Sequence, residues 1–401
     1  MILKDTLRRI VKDQMEELSA IEKGTEREIL NEIDVNLPYA TIISGIRRCG
    51  KSTLLRQLMQ KTPSFYYFNF EDPRAINFEL SDFQKLNDVF LDVYGKSEHY
   101  FFDEIQNAPK WELFVRSMLD KKKKFVITGS NSSMLSKELG SRLTGRHLRQ
   151  ELFPFSFKEM LAFTGKTGGI EAFEEYINTG GFPEYLRYKR NEILQELFND
   201  IIARDVVVAR KLRNEKIVKE MAAYLITNTG KEFSYSSLAK LFKLGSVNSA
   251  VSFVSFFEDS YLLFTMPRFD YSFKKQLVSP KKIYSIDNGF SRANSASFSE
   301  DRGRMLENLV FVNLRRNYPR IFYFKEKSEC DFVVKEKERI TQAIQVCYEL
   351  HEDNKEREIG GITDAMKKFK LKQGLVLTYD QEEVIDTQGK KIIVKPVWKW
   401  L

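Results

Sequence analysis

At 401 residues, 42% of them hydrophobic and 30% charged, the chain has the composition of an ordinary soluble protein and room for several domains of roughly 100–200 residues each. Its net charge of +8 is mild for this length, so contact with nucleic acid is permitted but not demanded. No apolar run approaches the roughly 18–20 residues that span a bilayer, which argues against a membrane partner, and Met1–Ile10, with Lys4, Asp5, Arg8 and Arg9, lacks the apolar stretch of a signal peptide.

Three cysteines, Cys49, Cys330 and Cys347, are too few and too scattered for a disulfide framework or a zinc site, and the three histidines add little. A reducing cytoplasm is the expected setting. Residues 1 to about 36 read as helix, with L-R-R-I-V-K-D-Q-M-E-E-L as an amphipathic pattern, and Tyr39–Ser44 reads as a buried strand. Ile42–Leu55 follows as I-I-S-G-I-R-R-C-G-K-S-T-L-L, which matches the G-x-x-x-x-G-K-[ST] phosphate loop. In that reading Gly45, Ile46, Arg47, Arg48, Cys49, Gly50, Lys51, Ser52 and Thr53 form the cradle for ATP. Glycines let backbone N–H groups face the phosphates, Lys51 reaches the β- and γ-phosphates, Ser52 offers its hydroxyl to Mg²⁺, and the helix start directs its positive end at the anion. The bland alternative is a Gly-rich turn without a ligand.

Phe65–Phe70 reads as a short buried strand ended by Glu71-Asp72-Pro73-Arg74. His99–Gln106, H-Y-F-F-D-E-I-Q, closes an apolar run in Asp103 and Glu104. At this spacing from Lys51, Asp103 is the candidate Mg²⁺ residue and Glu104 the group that orients or deprotonates water. Lys124–Asn131 reads as another strand ending in small polar residues, and Gly140–Arg146 sets Arg142 and Arg146 among glycines. Either arginine is a candidate for a fixed charge at the transition state, in cis or from a neighbouring copy; a surface loop with two solvated arginines explains them equally well. The lysines of 121–124 read most simply as a solvated loop, and Phe153, Phe155, Phe157 and Phe163 as core packing.

The series I-S-G-I-R-R-C-G-K-S-T, Y-Y-F-N-F-E-D-P, F-F-D-E-I-Q, I-T-G-S-N-S-S-M-L, L-T-G-R and, at Gly180–Glu184, G-G-F-P-E resembles that of bacterial and archaeal AAA-type ATPases carrying a C-terminal domain of uncharacterised role. The resemblance runs from about Arg27 to Val384. It implies an α/β fold: a P-loop NTPase domain with a parallel sheet and the N-terminal helix (residues 1–164), a helical lid (165–212), a winged helix-turn-helix (213–285) and a nuclease-like α/β domain (286–401) similar to restriction endonucleases. In such ATPases a polar residue at the strand end senses the γ-phosphate, which makes Asn131 or Ser130 the candidate here.

The local sequence follows the same order. Ile170–Arg210 reads helical except at Gly180-Gly181-Phe182-Pro183, where a turn is enforced. Ile217–Leu225, a second helix capped by Ser234, and a third after Gly245-Ser246 with Val247, Val251, Val254 and Phe257 on one side predict the helices of a winged unit, and Tyr261–Met266 and Leu277–Ser285 its wing strands. The outward face of the third helix, Asn248, Ser249, Ser252 and Ser255, carries no cation, whereas Arg268, Lys274, Lys275, Lys281 and Lys282 in the wing offer phosphate contacts. Both DNA and a protein partner, including self-association, stay open. In the tail, Glu307 and Asp331 match the first two acids of the nuclease pattern, but the next strand reads Ala343-Ile344-Gln345-Val346-Cys347, with Gln345 in place of an acid and Cys347 in place of the lysine. An amide is a weak ligand for a hard cation and a thiol supplies no positive charge. Lys355 or Arg357 is the candidate to compensate. The expected activity is ATP hydrolysis that switches a DNA-binding module; an ATP-gated nuclease and a protein-interaction switch are the alternatives.

Overall fold

The computed structural model describes residues 1–129, 143, 145–296, 301–387 and 389–401. The chain divides into two compact units, Met1–Phe153 and Pro154–Leu401.

The first unit is built on five parallel strands: β1 (Ala40–Ser44), β2 (Tyr66–Asn69), β3 (His99–Asp103), β4 (Lys124–Gly129) and β5 (His147–Glu151). Their order is β2-β3-β4-β1-β5. The central strands are apolar on both faces because helices cover the sheet on both sides, so β1 is buried throughout. Rings fill the core: Phe70 lies 5.1 Å from Phe78 and 5.3 Å from Phe102, and Trp111 is wholly buried. The expected long N-terminal helix stops at Ala20, after which residues 21–27 run as irregular chain to a short 3-10 turn at Glu28–Asn31. Leu7, Ile10 and Val11 bury one face of that helix, and Gln14 pairs with the backbone of Asn69, donating to its carbonyl at 3.1 Å and accepting from its N–H at 2.9 Å. A side-chain amide thus stands in for a neighbouring strand at the sheet edge.

The second unit opens with helices Phe157–Thr164, Ile170–Thr179, Pro183–Tyr188 and Asn191–Asp200, the last continuing as a wider π-helix over Ile201–Val208. Ser156 and Glu159 close a reciprocal capping box at the first of these. Asp287 ties the Gly180-Gly181 turn down: it accepts from the Gly181 N–H at 2.7 Å, and a Cβ on Gly180 would lie 2.0 Å from its carboxylate. Helix Glu215–Thr227, β6 (Glu232–Phe233), helices Tyr235–Leu241 and Val247–Asp259, β7 (Leu263–Pro267) and β8 (Lys281–Ser285) follow, with the strands ordered β6-β8-β7. The Ser234 cap is formed as expected. The expected strand Leu277–Ser285 is shorter, because Phe273–Val278 forms a helical turn capped by Ser272. Val254 and Phe257 are buried, but Val247 and Val251 stay exposed on the outer side of their helix.

Helix Arg302–Asn317 leads into a six-stranded sheet of β9 (Ile321–Lys325), β10 (Glu329–Glu336), β11 (Arg339–Val346), β12 (Gln373–Thr378), β13 (Glu383–Thr387) and β14 (Lys390–Pro396), with helix Glu352–Lys368 crossing between β11 and β12. The order is β13-β14-β12-β11-β10-β9, parallel at β11-β12-β14 and antiparallel elsewhere. Cys330 and Cys347 are buried free thiols in its core. Among the described residues no helix is long and apolar enough to cross a membrane.

Candidate functional site

Strand order decides what meets at the phosphate loop. Because β4 lies between β1 and β3, the ends of all three strands converge, with Ile43 level with Thr128 and Phe102 level with Ile127. Between β1 and helix Lys51–Gln60 the chain turns through Gly45–Gly50. Gly50 takes φ +100°, a left-handed value that a side chain would strain, and a Cβ on Gly45 would lie 2.1 Å from the Leu152 carbonyl oxygen. Lys51 is buried and donates to the carbonyls of Gly45 and Ile46, both at 3.1 Å, so its ammonium is held across the loop. Cys49 packs inward with its thiol donating to the Leu152 carbonyl at 3.4 Å, and burial raises its pKa. Arg48 is exposed and Arg47 half-buried, while Ser52 is exposed and Thr53 half-buried at the helix start.

Asp103 and Glu104 stand at the end of β3. Thr128 joins them: its hydroxyl donates to Asp103 Oδ1 and accepts the Glu104 N–H at 3.0 Å. Burial raises the Asp103 pKa; the hydroxyls of Thr128 and Ser52 and the charge of Lys51 oppose that rise, and Glu104 adds to it. Ser52 and Thr128, 76 positions apart, are thus brought to one carboxylate. Glu104 holds φ +50°, an uncommon conformation for a non-glycine residue, and Gln106 donates to its carboxylate. The buried carboxylate beside a hydroxyl is an all-oxygen set of the kind Mg²⁺ takes.

Arg146 lies outside this cluster and pairs with Asp120 near the surface. Asn131, Ser130 and Arg142 lie outside the described residues. Two contributors escaped the sequence reading. Thr128 sits inside β4, two residues before the polar pair proposed as a sensor, and its only signal was a hydroxyl within an apolar strand end. Arg27 is 2% exposed and donates to the carbonyls of Cys49 at 2.8 Å and Phe153 at 2.7 Å, bracing the loop from behind. Nothing local marked it, since its partners are distant in sequence.

In the second unit Glu307 and Asp331 do come together, around a lysine that the sequence placed elsewhere. Lys282 Nζ lies 3.0 Å from Glu307, 2.8 Å from Glu329 and 3.0 Å from Asp331. Tyr284 donates to Glu307 at 2.7 Å. Burial works against the Lys282 charge, but Tyr284, Asp331, Glu307 and Glu329 outweigh it and raise the lysine pKa. Burial and the neighbouring Asp331 push Glu307 up, against Lys282. Lys282 is therefore no free phosphate contact on a wing, and Arg268 is likewise engaged, donating to the Lys325 carbonyl. Gln345 accepts the Asp331 N–H at 3.1 Å and donates to Glu358 at 2.6 Å, filling the third acidic position with an amide. Of the candidate replacements, Lys355 pairs with Glu383, whereas Arg357 pairs with Glu358, the partner of Gln345, and its charge acts on Asp331 from that position. Among the described residues no three His, Cys, Asp or Glu side chains converge as a metal set.

Comparison with known proteins matches residues 38–161 to the AAA domain family and residues 170–301 to a domain of unknown function, DUF8612. The chain is 36% identical to the uncharacterized protein MJ1544 of Methanocaldococcus jannaschii, over 96% of this chain and 93% of that one. It is 27% identical to an uncharacterized protein of Haemophilus influenzae, over 90% of this chain and 94% of that one. Among solved structures, AMPPCP-bound DnaA from Aquifex aeolicus matches 61% of this chain and 88% of its own at 15% identity and TM-score 0.30. The Thermotoga maritima RuvB branch migration motor matches 65% and 94% at 16% identity and TM-score 0.28.

Proposed function

The chain belongs to the family of that M. jannaschii protein and carries an AAA-type P-loop domain, and from that premise we propose that it binds ATP with Mg²⁺ and hydrolyses it to switch its C-terminal half on and off DNA. The single observation that carries this reading is the Thr128 hydroxyl joining Asp103 to Glu104 beside Ser52 and Lys51. Backbone N–H groups of Gly45–Thr53 and the helix start receive the phosphates. Lys51 balances charge developing on the β- and γ-phosphates, and Glu104 orients the attacking water and accepts its proton. Mg²⁺, held by Ser52 and by Asp103, supplies neutralisation of the phosphate oxygens when bound. Asn131 is the proposed γ-phosphate sensor and Arg146, on leaving Asp120, the proposed arginine finger.

In the C-terminal half we assign residues 165–212 to a lid, 213–285 to a winged helix-turn-helix and 286–401 to a nuclease-like domain. The order helix, β6, helix, helix, β7, β8 with the strands as β6-β8-β7 supports the second assignment. The run from helix Arg302–Asn317 through β9, β10, β11, helix Glu352–Lys368 and β12 supports the third. The Lys282 ammonium sits among the acids where a nuclease would hold its metal cation, and Gln345 fills the third acidic position, which supports a domain that binds rather than cuts. One observation favours a second reading, a protein-interaction switch: the exposed Val247 and Val251 on a helix face without cations.

The deciding measurement is ATP hydrolysis by wild type and Glu104→Gln, with and without DNA. A loss of at least tenfold in the variant is expected from removing a general base; equal rates would overturn the assignment of Glu104. DNA binding that is insensitive both to salt and to ATP would remove the DNA reading in favour of the protein one.

A further inference from the structure

A groove of about 900 Å³ opens in the second unit between the segment that follows β7 and the β9-β10-β11 side of the six-stranded sheet. Two properties coincide there. Five rings line it, Phe269, Tyr271, Phe273, Phe322 and Phe369. Phe269 is the centre of the group, 4.8 Å from Phe369, 5.2 Å from Tyr271 and 5.7 Å from Phe322. Tyr271 is 74% exposed and Phe273 70% exposed, a placement that folding alone does not reward. Among the described residues, six cations share the same wall, Arg320, Lys335, Arg339, Lys368, Lys370 and Lys372, against two carboxylates, Asp270 and Glu338. The excess of four is half of the chain's net charge of +8, gathered in one groove.

The acids are already engaged. Asp270 accepts the Ser272 N–H at 2.8 Å, and Glu338 pairs with Lys335 at 3.7 Å. Lys368 lies 6.0 Å over the Tyr271 ring and pairs with Glu326. Arg339, Lys370 and Lys372 have no carboxylate partner among the described residues, and all three are exposed. Cations without acids call for an anionic ligand, and flat exposed rings among them call for one that carries its own flat faces. Duplex DNA hides its base faces in the stack; an acidic peptide matches the charge and leaves the rings without partners. A single strand offers phosphates and unstacked bases together.

We propose that this groove binds single-stranded nucleic acid, with bases stacking on Tyr271 and Phe273 and the backbone following Arg339, Lys370 and Lys372. This deepens the nucleic-acid reading above by naming the strand class, and it rests on no residue of helix Val247–Asp259 or of the ATP site.

The test is fluorescence anisotropy on the full chain with labelled dT₂₀, rU₂₀, a 20-base-pair duplex and an oligoglutamate peptide. Both single strands should bind, and an advantage of either one would identify the sugar that is recognised. Three phosphate contacts predict a log–log salt slope of about −2, so binding weakens roughly fifteenfold between 50 and 200 mM salt. Tyr271→Ala/Phe273→Ala, at exposed positions that leave the fold intact, should weaken single-strand binding at least tenfold and leave duplex binding unchanged. Lys370→Glu/Lys372→Glu should weaken it further and flatten the slope. Single-strand binding that ignores both double variants, or oligoglutamate binding that matches it and falls with the same variants, would overturn the proposal. Duplex binding alone would overturn it too while sparing the winged-helix reading; no binding to any nucleic acid would remove both.

Discussion

Replacing Lys282 by methionine removes the cation that Glu307, Glu329 and Asp331 share while keeping most of the side chain's volume. Its side chain is 5% exposed, and those of Glu307 and Asp331 are 13% and 10% exposed, so water cannot replace the lost charge. Breaking a buried pair by removing one partner costs roughly 3–5 kcal/mol, because the remaining charge stays uncompensated. Glu329 adds little, since it is 29% exposed and keeps Lys325 at 3.0 Å. At roughly 2–4 °C per kcal/mol for a unit of this size, the second unit should melt roughly 6–20 °C lower. The loss should also depend on pH. Burial and Asp331 already push Glu307 up, and without Lys282 its folded-state pKa rises further. A carboxyl raised above its unfolded value contributes stability that is present at low pH and lost as pH rises through the folded pKa. The deficit is therefore largest near pH 8 and shrinks towards pH 5. Urea unfolding in a Trp111→Phe background reads this directly, because Trp398 and Trp400, the remaining tryptophans, lie in the second unit. A deficit below about 1 kcal/mol, equal at both pH values, would refute the view that Lys282 balances the acids.

Thr128→Val should leave the strand in place but deprive Asp103 of a donor and the Glu104 N–H of its acceptor, at roughly 1–3 kcal/mol; calorimetry and steady-state assays should show ATP binding retained and turnover at least tenfold lower. Arg27→Met strands two buried carbonyls, so the first unit should lose roughly 1–3 kcal/mol in denaturant and bind ATP more weakly by titration. Asp287→Asn addresses pH: burial pushes the Asp287 carboxyl from 3.8 up to about 6, so its contribution to stability is present at low pH and is lost as pH rises through that window. The stability difference between wild type and this variant should change by roughly 3 kcal/mol between pH 3.5 and 7, at about 1.4 kcal/mol per pKa unit. Wild type incubated with plasmid and Mg²⁺ or Mn²⁺ should leave it uncut; cleavage abolished by Asp331→Ala would reverse the reading of the C-terminal domain.

What the amino-acid sequence determined by itself is local. Gly45–Ser52 carries its own geometry, because the turn, the helix start and Lys51 lie within one short segment. The same holds for the apolar strand that ends in Asp103-Glu104, and for the caps at Ser156 and Ser234, whose partners lie three residues on. Tertiary structure decided everything that depends on strand order and on pairs distant in sequence. The Thr128 hydroxyl reaches Asp103 because β4 is inserted between β1 and β3, and no pattern within Lys124–Gly129 encodes that insertion. Arg27 braces a carbonyl 126 residues away. Lys282, which as a basic residue on a wing suggested a phosphate contact, is turned inward because Glu307, Glu329 and Asp331 surround its ammonium. The phosphate loop was legible because its chemistry is contiguous; the lysine that closes the acid cluster was not, because charges 25 and 49 residues away set its role.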